Sequence, residues 1–367
     1  MGMEDVIVIG AGYAGVLAAN RLAHRARVRI VAPQDALVDR IRLHEVAAGT
    51  RSPGRVTRPL DQALDRRVAR TIGRAVAVAG GRVRLESGDE LRARHVLLAH
   101  GRSAARPGSI ESLEGALDVR RRVAALGDGG SVEVVGAGLT GIEVASEIAA
   151  TRPGLRVRLI SRDPVGSALA PGAAASLRRS LERMGVEVAL RAHVQASTRS
   201  PGASMRSADV EIDATGPMPE PLGATSELPV DAAGRIRVDD RLRVLDARDR
   251  PIDGLWGAGD AVAVEGMPWL RNACASAEPL AASAADRILA SLDRKPLAPI
   301  NIGFAFRCIS LGRRDGLIQF VAPDDRPRPM WLSGRAAAAW KEMVSTAAAI
   351  APVRWSRSYR PFGGPRG

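Results

Sequence analysis

Two short runs of glycine carry the most chemistry in this chain, because they expose backbone amides. Gly10, Gly12 and Gly15 follow the apolar run Val6-Ile7-Val8-Ile9, with Tyr13 and Ala14 inside the motif. Gly136, Gly138 and Gly141 follow Val132-Glu133-Val134-Val135, with Thr140 inside the motif. In each copy the first glycine permits a tight turn. The second lets a pyrophosphate approach the backbone, and the third lets a helix pack on a strand. The free N–H groups and partial positive charge of the helix start would then face the phosphates. A ribose-binding carboxylate belongs at the end of the following strand. The first copy has Ala32 there, with Asp35 a few residues on, and the second has Ser161-Arg162-Asp163. The Arg162 guanidinium suits a 2′-phosphate, which a carboxylate would repel. Further on, Gly254-Leu255-Trp256-Gly257-Ala258 leads into Gly259-Asp260. A short strand, this pair and then a small-residue helix can set a carboxylate against a cofactor's sugar-alcohol chain.

The elements that must position these residues form an internal repeat. Residues 6–31 and 132–160 each read as a strand, a glycine turn, an amphipathic helix (to Arg25 and to Ala150) and a second strand. That is a βαβ unit, present twice. Residues 74–101 read as short strands, Ala75–Ala79, Val83–Leu85 and His95–Ala99, and residues 228–263 as a further β-rich block. Residues 334–351 are helix-like, followed by Trp355, Tyr359 and Phe362 among arginines.

Composition narrows the classes. The 367 residues are 46% hydrophobic, which suits two or three cored domains of ~100–200 residues each and excludes a mainly disordered chain. Two cysteines, Cys274 and Cys308, exclude a disulfide scaffold. No apolar run reaches the ~18 residues a membrane span needs, and the first residues lack a signal core. A cytoplasmic protein is expected, with membrane-surface contact left open. The net charge is +13, yet only Lys295 and Lys341 among the 53 basic residues are lysines. Such charge gathers anions such as dinucleotides and acidic lipids. Nucleic acid is not expected, since the arginines are scattered and no reading motif stands out. His24, His44, His95, His100 and His193 form no ligand pair, so no metal is expected. No nucleophile elbow or Ser/His/Asp pattern is present.

Over roughly residues 5–290 the sequence resembles the FAD-dependent pyridine nucleotide oxidoreductases with two dinucleotide-binding domains. The stretches Val8-Ile9-Gly10-Ala11-Gly12-Tyr13-Ala14-Gly15 and Gly138-Leu139-Thr140-Gly141-Ile142-Glu143 are most similar to type II NADH:quinone dehydrogenases. They are also similar to apoptosis-inducing-factor-like and ferroptosis-suppressor-like oxidoreductases. The resemblance implies that Gly10, Gly12, Tyr13, Ala14 and Gly15 hold the FAD pyrophosphate, with Asp35 near its ribose and Gly259-Asp260 at its ribityl chain. It makes Ala99-His100-Gly101 and Ala214-Thr215-Gly216 the crossing elements between domains. Gly136, Gly138, Thr140 and Gly141 would take the nicotinamide dinucleotide. Arg162 tilts the donor from NADH toward NADPH, and Glu143 would sit near nicotinamide and flavin. Arg40-Ile41-Arg42-Leu43-His44-Glu45 would run beside the FAD, where Arg42 would favour the reduced, anionic flavin.

Two departures stand out. The family's quinone-site element Ala-Gln-x-Ala-x-Gln is here Ala273-Cys274-Ala275-Ser276-Ala277-Glu278, with neither glutamine. Cys274 and Glu278 join Glu143 as candidate catalytic residues. The paired cysteines of disulfide reductases are absent, which excludes a thiol relay. The expected fold is α/β, with two Rossmann-like dinucleotide-binding domains, one inserted in the other, and a C-terminal α+β region. FAD would take residues 1–104 and 228–290, NAD(P)H residues 105–227, and an interface or acceptor-side region residues 291–367. The expected activity moves electrons from NADH or NADPH through FAD to a quinone-like or other small conjugated acceptor. A biosynthetic flavoenzyme acting on a specialised metabolite is one alternative; a flavin-binding signalling protein with incidental turnover is another. The basic aromatic C-terminal region leaves peripheral membrane contact open, and a homodimer is also left open.

Overall fold

The computed structural model describes residues 3–102, 106–190, 208–216, 218 and 220–365. Val6, Ile7, Val8 and Ile9 are at most 4% exposed, as a strand covered on both faces of a parallel sheet must be. Their strand, Glu4–Ile9, runs parallel between Val28–Ala32 and Glu90–Leu98. Ala69–Ile72 adds in parallel on one side and Pro251–Gly257 on the other. Beyond Pro251–Gly257 lie Arg243–Leu245, Ile236–Val238 and Val262–Val264. The hairpin Ala75–Ala79 with Arg82–Leu85 pairs antiparallel with the start of Glu90–Leu98.

The helix Tyr13–Leu22 is buried along its whole length. It packs against the helices Cys274–Leu292 and Arg335–Arg354. Its polar side chains are satisfied in place. Asn20 donates to the carbonyls of Ala63 and Pro352, both at 2.9 Å, and Arg21 grips Asp286 through bonds of 2.7 and 2.8 Å. Buried polar groups need such partners, and here they tie the first helix to the last.

The second βαβ unit builds its own parallel sheet, in the order Val186–Leu190, Arg156–Ser161, Ser131–Val135, Val210–Asp213. The helix Leu139–Thr151 follows its glycine turn. The expected pair of Rossmann-like units is therefore present. Phe306–Leu311, Asp315–Val321 and Pro327–Ser333 form an antiparallel sheet, and Arg335–Arg354 is the helix read in the alanine-rich run. The apolar core of the second unit recruits Ile309, Leu311 and Leu317 from this sheet, and Leu43, Val46, Ala47 and Val56 from early in the chain. Segments distant in sequence thus close around the gap between the two units.

One expectation needs correcting. Gly259–Ala261 makes a single 3-10 turn and does not run on into an α-helix. Val262–Val264 forms a strand parallel to Ile236–Val238, as its β-branched ends favour, and the helix starts only at Cys274. No described helix is long and apolar enough to cross a membrane.

Candidate functional site

Each glycine turn is shaped by backbone crowding. Gly10 has φ +107° and Gly136 φ +106°, a region that side chains disfavour. A Cβ on Gly15 would strike the Gly10 carbonyl, and one on Gly141 would strike the Gly136 carbonyl. Gly12 and Gly138 differ: a Cβ there meets no atom within 4 Å. These two N-cap residues face open space, and neither following helix has an acidic residue in its first turn. Each turn therefore offers a positive helix start, unblocked, to an anion.

The open space is a cleft of about 2370 Å³ between the two units. Small-ligand pockets run to roughly 300–1,000 Å³, so the cleft has room for two extended ligands. Gly10, Gly12, Tyr13, Ala14, Ala99, Gly101, Gly259 and Asp260 line it from the first unit. Gly136, Gly138, Thr140, Glu143, Arg162 and Gly216 line it from the second, and Cys274 and Glu278 stand at its wall. Gly15 and Gly141 lie behind the wall, where they set the helix against the strand.

Asp260 fits the role of a ribityl contact. Gly259 passes the first helix so closely that its Cβ would lie 3.0 Å from that of Ala14. This holds Asp260 at the cleft, where its Oδ1 has no hydrogen-bond partner. Burial pushes its carboxyl up to about 6, against the pull of Arg40 and Arg102. A buried acceptor oxygen without a donor, beside a phosphate-sized turn, suits a hydroxylated chain. In the crossing element the half-buried His100 has its Nδ1 shielded from water and without a partner among the described residues, and desolvation brings it down to about 4, so it is neutral.

Two residues are not where the sequence reading put them. Arg42 does not line the cleft. Its guanidinium is 4% exposed and forks onto Glu342 through two bonds of 2.8 Å, with Glu45 at 3.0 Å. Arg40, one turn away, reaches the cleft instead. Asp35 is exposed and pairs with Arg70 at 2.9 Å, while Pro33, Gln34 and Ala36 line the cleft around it. The exposed Glu342 and buried Glu45 satisfy Arg42, and the exposed guanidinium of Arg70 satisfies Asp35, both outside the cleft lining.

The sequence reading missed Lys341. It comes from the helix Arg335–Arg354 and lies 2.9 Å from Glu143. Glu143 also accepts from the Ser310 amide at 3.0 Å, and His44 Nδ1 lies 3.7 Å away. Burial alone would raise the Glu143 carboxyl, but Lys341, His44 and the Ser310 amide outweigh it and hold it below the usual range. The same ion pair holds Lys341 protonated despite its burial. The cleft thus has a fixed ion pair at the second unit's helix. One signal in the sequence pointed there: Lys341 is one of two lysines. Tyr359, Cys308 and His44 also line the cleft.

Cys274 is a poor nucleophile. Burial, then the nearby Glu278, push its thiol up to about 12, so almost no thiolate exists at neutral pH. Labelling by iodoacetamide at pH 7 should leave Cys274 intact in the native protein and modify it after unfolding. Rapid native labelling, read by mass spectrometry, would contradict this environment.

Comparisons with known proteins bear on the family and the fold. The model of the pyridine nucleotide-disulphide oxidoreductase family matches residues 4–278. An NADH dehydrogenase-like protein of Mycobacterium tuberculosis is 27% identical, with 97% of this chain and 96% of that protein covered. The sulfide:quinone oxidoreductase of Aquifex aeolicus superposes with a TM-score of 0.77 at 14% identity, over 97% of this chain and 93% of that one. NDH2 of Plasmodium falciparum, in complex with NADH, superposes with a TM-score of 0.75 at 13% identity, over 97% and 96%. At those identities the two structures show a shared fold.

Proposed function

The chain belongs to the pyridine nucleotide-disulphide oxidoreductase family, FAD-dependent enzymes that oxidise NADH or NADPH, and from that premise we propose that its electron acceptor is a quinone-like small molecule. The observation that carries this reading is the third wall of the cleft. Beyond the two glycine turns, the C-terminal helix lines the cleft with Val344, Ala347, Ala348 and Ala351, and Trp355 and Phe362 follow. Trp355 is 46% and Phe362 69% exposed, so this wall runs out to an apolar rim set among Arg354, Arg357 and Arg360. Flat, conjugated, largely apolar molecules suit such a wall, with polar groups kept at its inner end. The relatives support the reading: one is NADH dehydrogenase-like, another a sulfide:quinone oxidoreductase, and NDH2 was solved with NADH.

The assignment of residues is part of the proposal. Gly10, Gly12 and the start of Tyr13–Leu22 hold the FAD pyrophosphate, and Asp260 its ribityl chain. Gly136, Gly138 and the start of Leu139–Thr151 hold the nicotinamide dinucleotide. When bound, the flavin supplies the redox chemistry, and the protein supplies orientation and electrostatics. The Glu143–Lys341 pair keeps a fixed charge at the second helix and adds no free proton there. The apolar walls keep water from the reacting rings.

Anaerobic reduction by NADH followed by 2-methyl-1,4-naphthoquinone tests the acceptor class. Rapid reoxidation by the naphthoquinone, much faster than by oxygen, is expected; reoxidation no faster than in air would reject it. Arg162 tests the donor. It lies at the cleft with a mostly exposed guanidinium that, among the described residues, pairs only with the neighbouring Asp163, at 3.3 Å. Arg162→Ala should raise the KM for NADPH about tenfold, the ~1.5 kcal/mol of one charged hydrogen bond, and leave that for NADH nearly unchanged. Equal KM values for NADPH before and after would remove Arg162 from the site.

A further inference from the structure

Glu278 has no counterpart in the resembled quinone-site element, which carries glutamine. It stands one turn past Cys274 at the start of the helix Cys274–Leu292, on the cleft wall. The residue is 5% exposed, and its Oε1 has no hydrogen-bond partner. Buried polar atoms are rarely left so, and among the described residues none partners this one, on a residue that lines the cleft. The Tyr359 hydroxyl acts on the same carboxyl and also lines the cleft, between Trp355 and Phe362 of the apolar rim.

Resting on the quinone-like acceptor read above, we propose that Glu278 is the proton donor to that acceptor, with the Tyr359 hydroxyl positioning its carboxyl. Reduction of a quinone to a quinol takes two electrons and two protons. The electron pair and one proton come from the reduced flavin. The second proton leaves the Glu278 O–H for a carbonyl oxygen of the acceptor, and the resulting carboxylate recovers a proton from water. Electrons and protons balance with no further reactant. A glutamine at this position donates a hydrogen bond but cannot release a proton, so this chain has a step that glutamine would not provide.

Few groups face Glu278. Tyr359 faces it from the C-terminal stretch, Asp39 from near the first unit's glycine turn, and Cys274 from its own helix. Asp39 is itself held by the Tyr13 hydroxyl. Burial is the largest influence on Glu278; Tyr359 pulls against it and Asp39 adds to it, and the carboxyl is pushed up to about 8. It is therefore protonated at neutral pH, as a donor must be, and near enough to neutrality to be recharged.

The test uses the holoprotein, reduced with NADH and mixed anaerobically with 2-methyl-1,4-naphthoquinone or with ferricyanide. Ferricyanide takes electrons and no proton. In the unsubstituted protein, naphthoquinone reduction should slow as pH rises through about 8, because the protonated fraction falls. In Glu278→Gln the ratio of naphthoquinone to ferricyanide rates should drop on the order of a hundredfold, a usual size for acid catalysis, and the pH limb should vanish. In Tyr359→Phe the limb should persist and shift to higher pH, since the lost hydroxyl favoured the carboxylate. An infrared C=O band of a protonated carboxyl should fade through the same pH range and be missing in Glu278→Gln. Equal loss with both acceptors, a surviving limb in Glu278→Gln, or no such band would overturn the proposal. A protein that takes up no FAD overturns the parent reading and this one together. A protein that NADH reduces, but whose rate ratio is unchanged in Glu278→Gln, overturns this one alone.

Discussion

A Gly12→Val protein should fold and stay colourless. Gly12 has φ −80° and ψ −169°, an extended conformation that valine adopts freely. A Cβ there meets no protein atom within 4 Å, so the fold itself does not need the glycine. The ligand does, because the space beyond Gly12 is where a pyrophosphate would reach the helix start. Filling it should weaken FAD binding roughly a hundredfold, the upper end of the ~1–3 kcal/mol that overpacking costs. Gly138→Val makes the matching change in the twin turn, whose geometry is the same. That protein should keep its flavin and lose reduction by NADH and NADPH at ordinary donor concentrations. Gly15→Val should behave differently again and fail to fold, since its side chain would run into the Gly10 backbone. The flavin content and unfolding temperature of the three proteins separate these outcomes. If Gly12→Val binds FAD as tightly as the parent, the turn does not cradle the cofactor.

Lys341→Met should destabilise the protein by about 3–5 kcal/mol near neutral pH, the usual result of leaving one buried charge of a pair uncompensated. The side chains of Lys341 and Glu143 are 14% and 9% exposed, so water cannot replace the lost partner. The pH dependence should invert. With Lys341 present, Glu143 is held below its ordinary range. Its contribution is then complete above the unfolded value of about 4.3 and fades as pH falls through the lower folded value. Without Lys341, burial dominates and the folded carboxyl rises above the unfolded one. Stability at Glu143 is then greatest below about pH 4 and declines as pH rises. Urea titrations of the substituted protein across this range check the sign. Lys341→Met combined with Glu143→Gln should recover most of the loss, because neither charge of the pair is left buried without the other. A single-variant loss below about 1 kcal/mol would show that the pair is effectively solvated.

What the sequence revealed follows from how local each requirement is. The glycine turns were legible because their constraints act within a few residues: a positive φ at Gly10 and Gly136 and a close pass at Gly15 and Gly141. Asp260 was legible from the Gly-Asp pair just past a strand. The strand Val262–Val264 closes the stretch read as β-rich, but the helix expected after the Gly-Asp pair starts only at Cys274. Arg42 was misplaced because its partner Glu342 lies far along the chain, on a helix whose docking no local pattern discloses. Lys341 and Tyr359 reach the cleft for the same reason, through long-range packing of the C-terminal helix and tail. The exchange of glutamine for Glu278 was visible in the sequence. Its burial and unpartnered oxygen were not, since both depend on what the tail covers.

The central claim is that the two glycine turns hold two different dinucleotides, one of them a flavin. The visible spectrum of the purified protein, taken before and after anaerobic addition of NADH and then NADPH, tests it most directly. A yellow protein whose flavin band bleaches with at least one donor is the expected result. A protein that remains colourless after incubation with FAD, or a yellow one that neither donor bleaches, would contradict it.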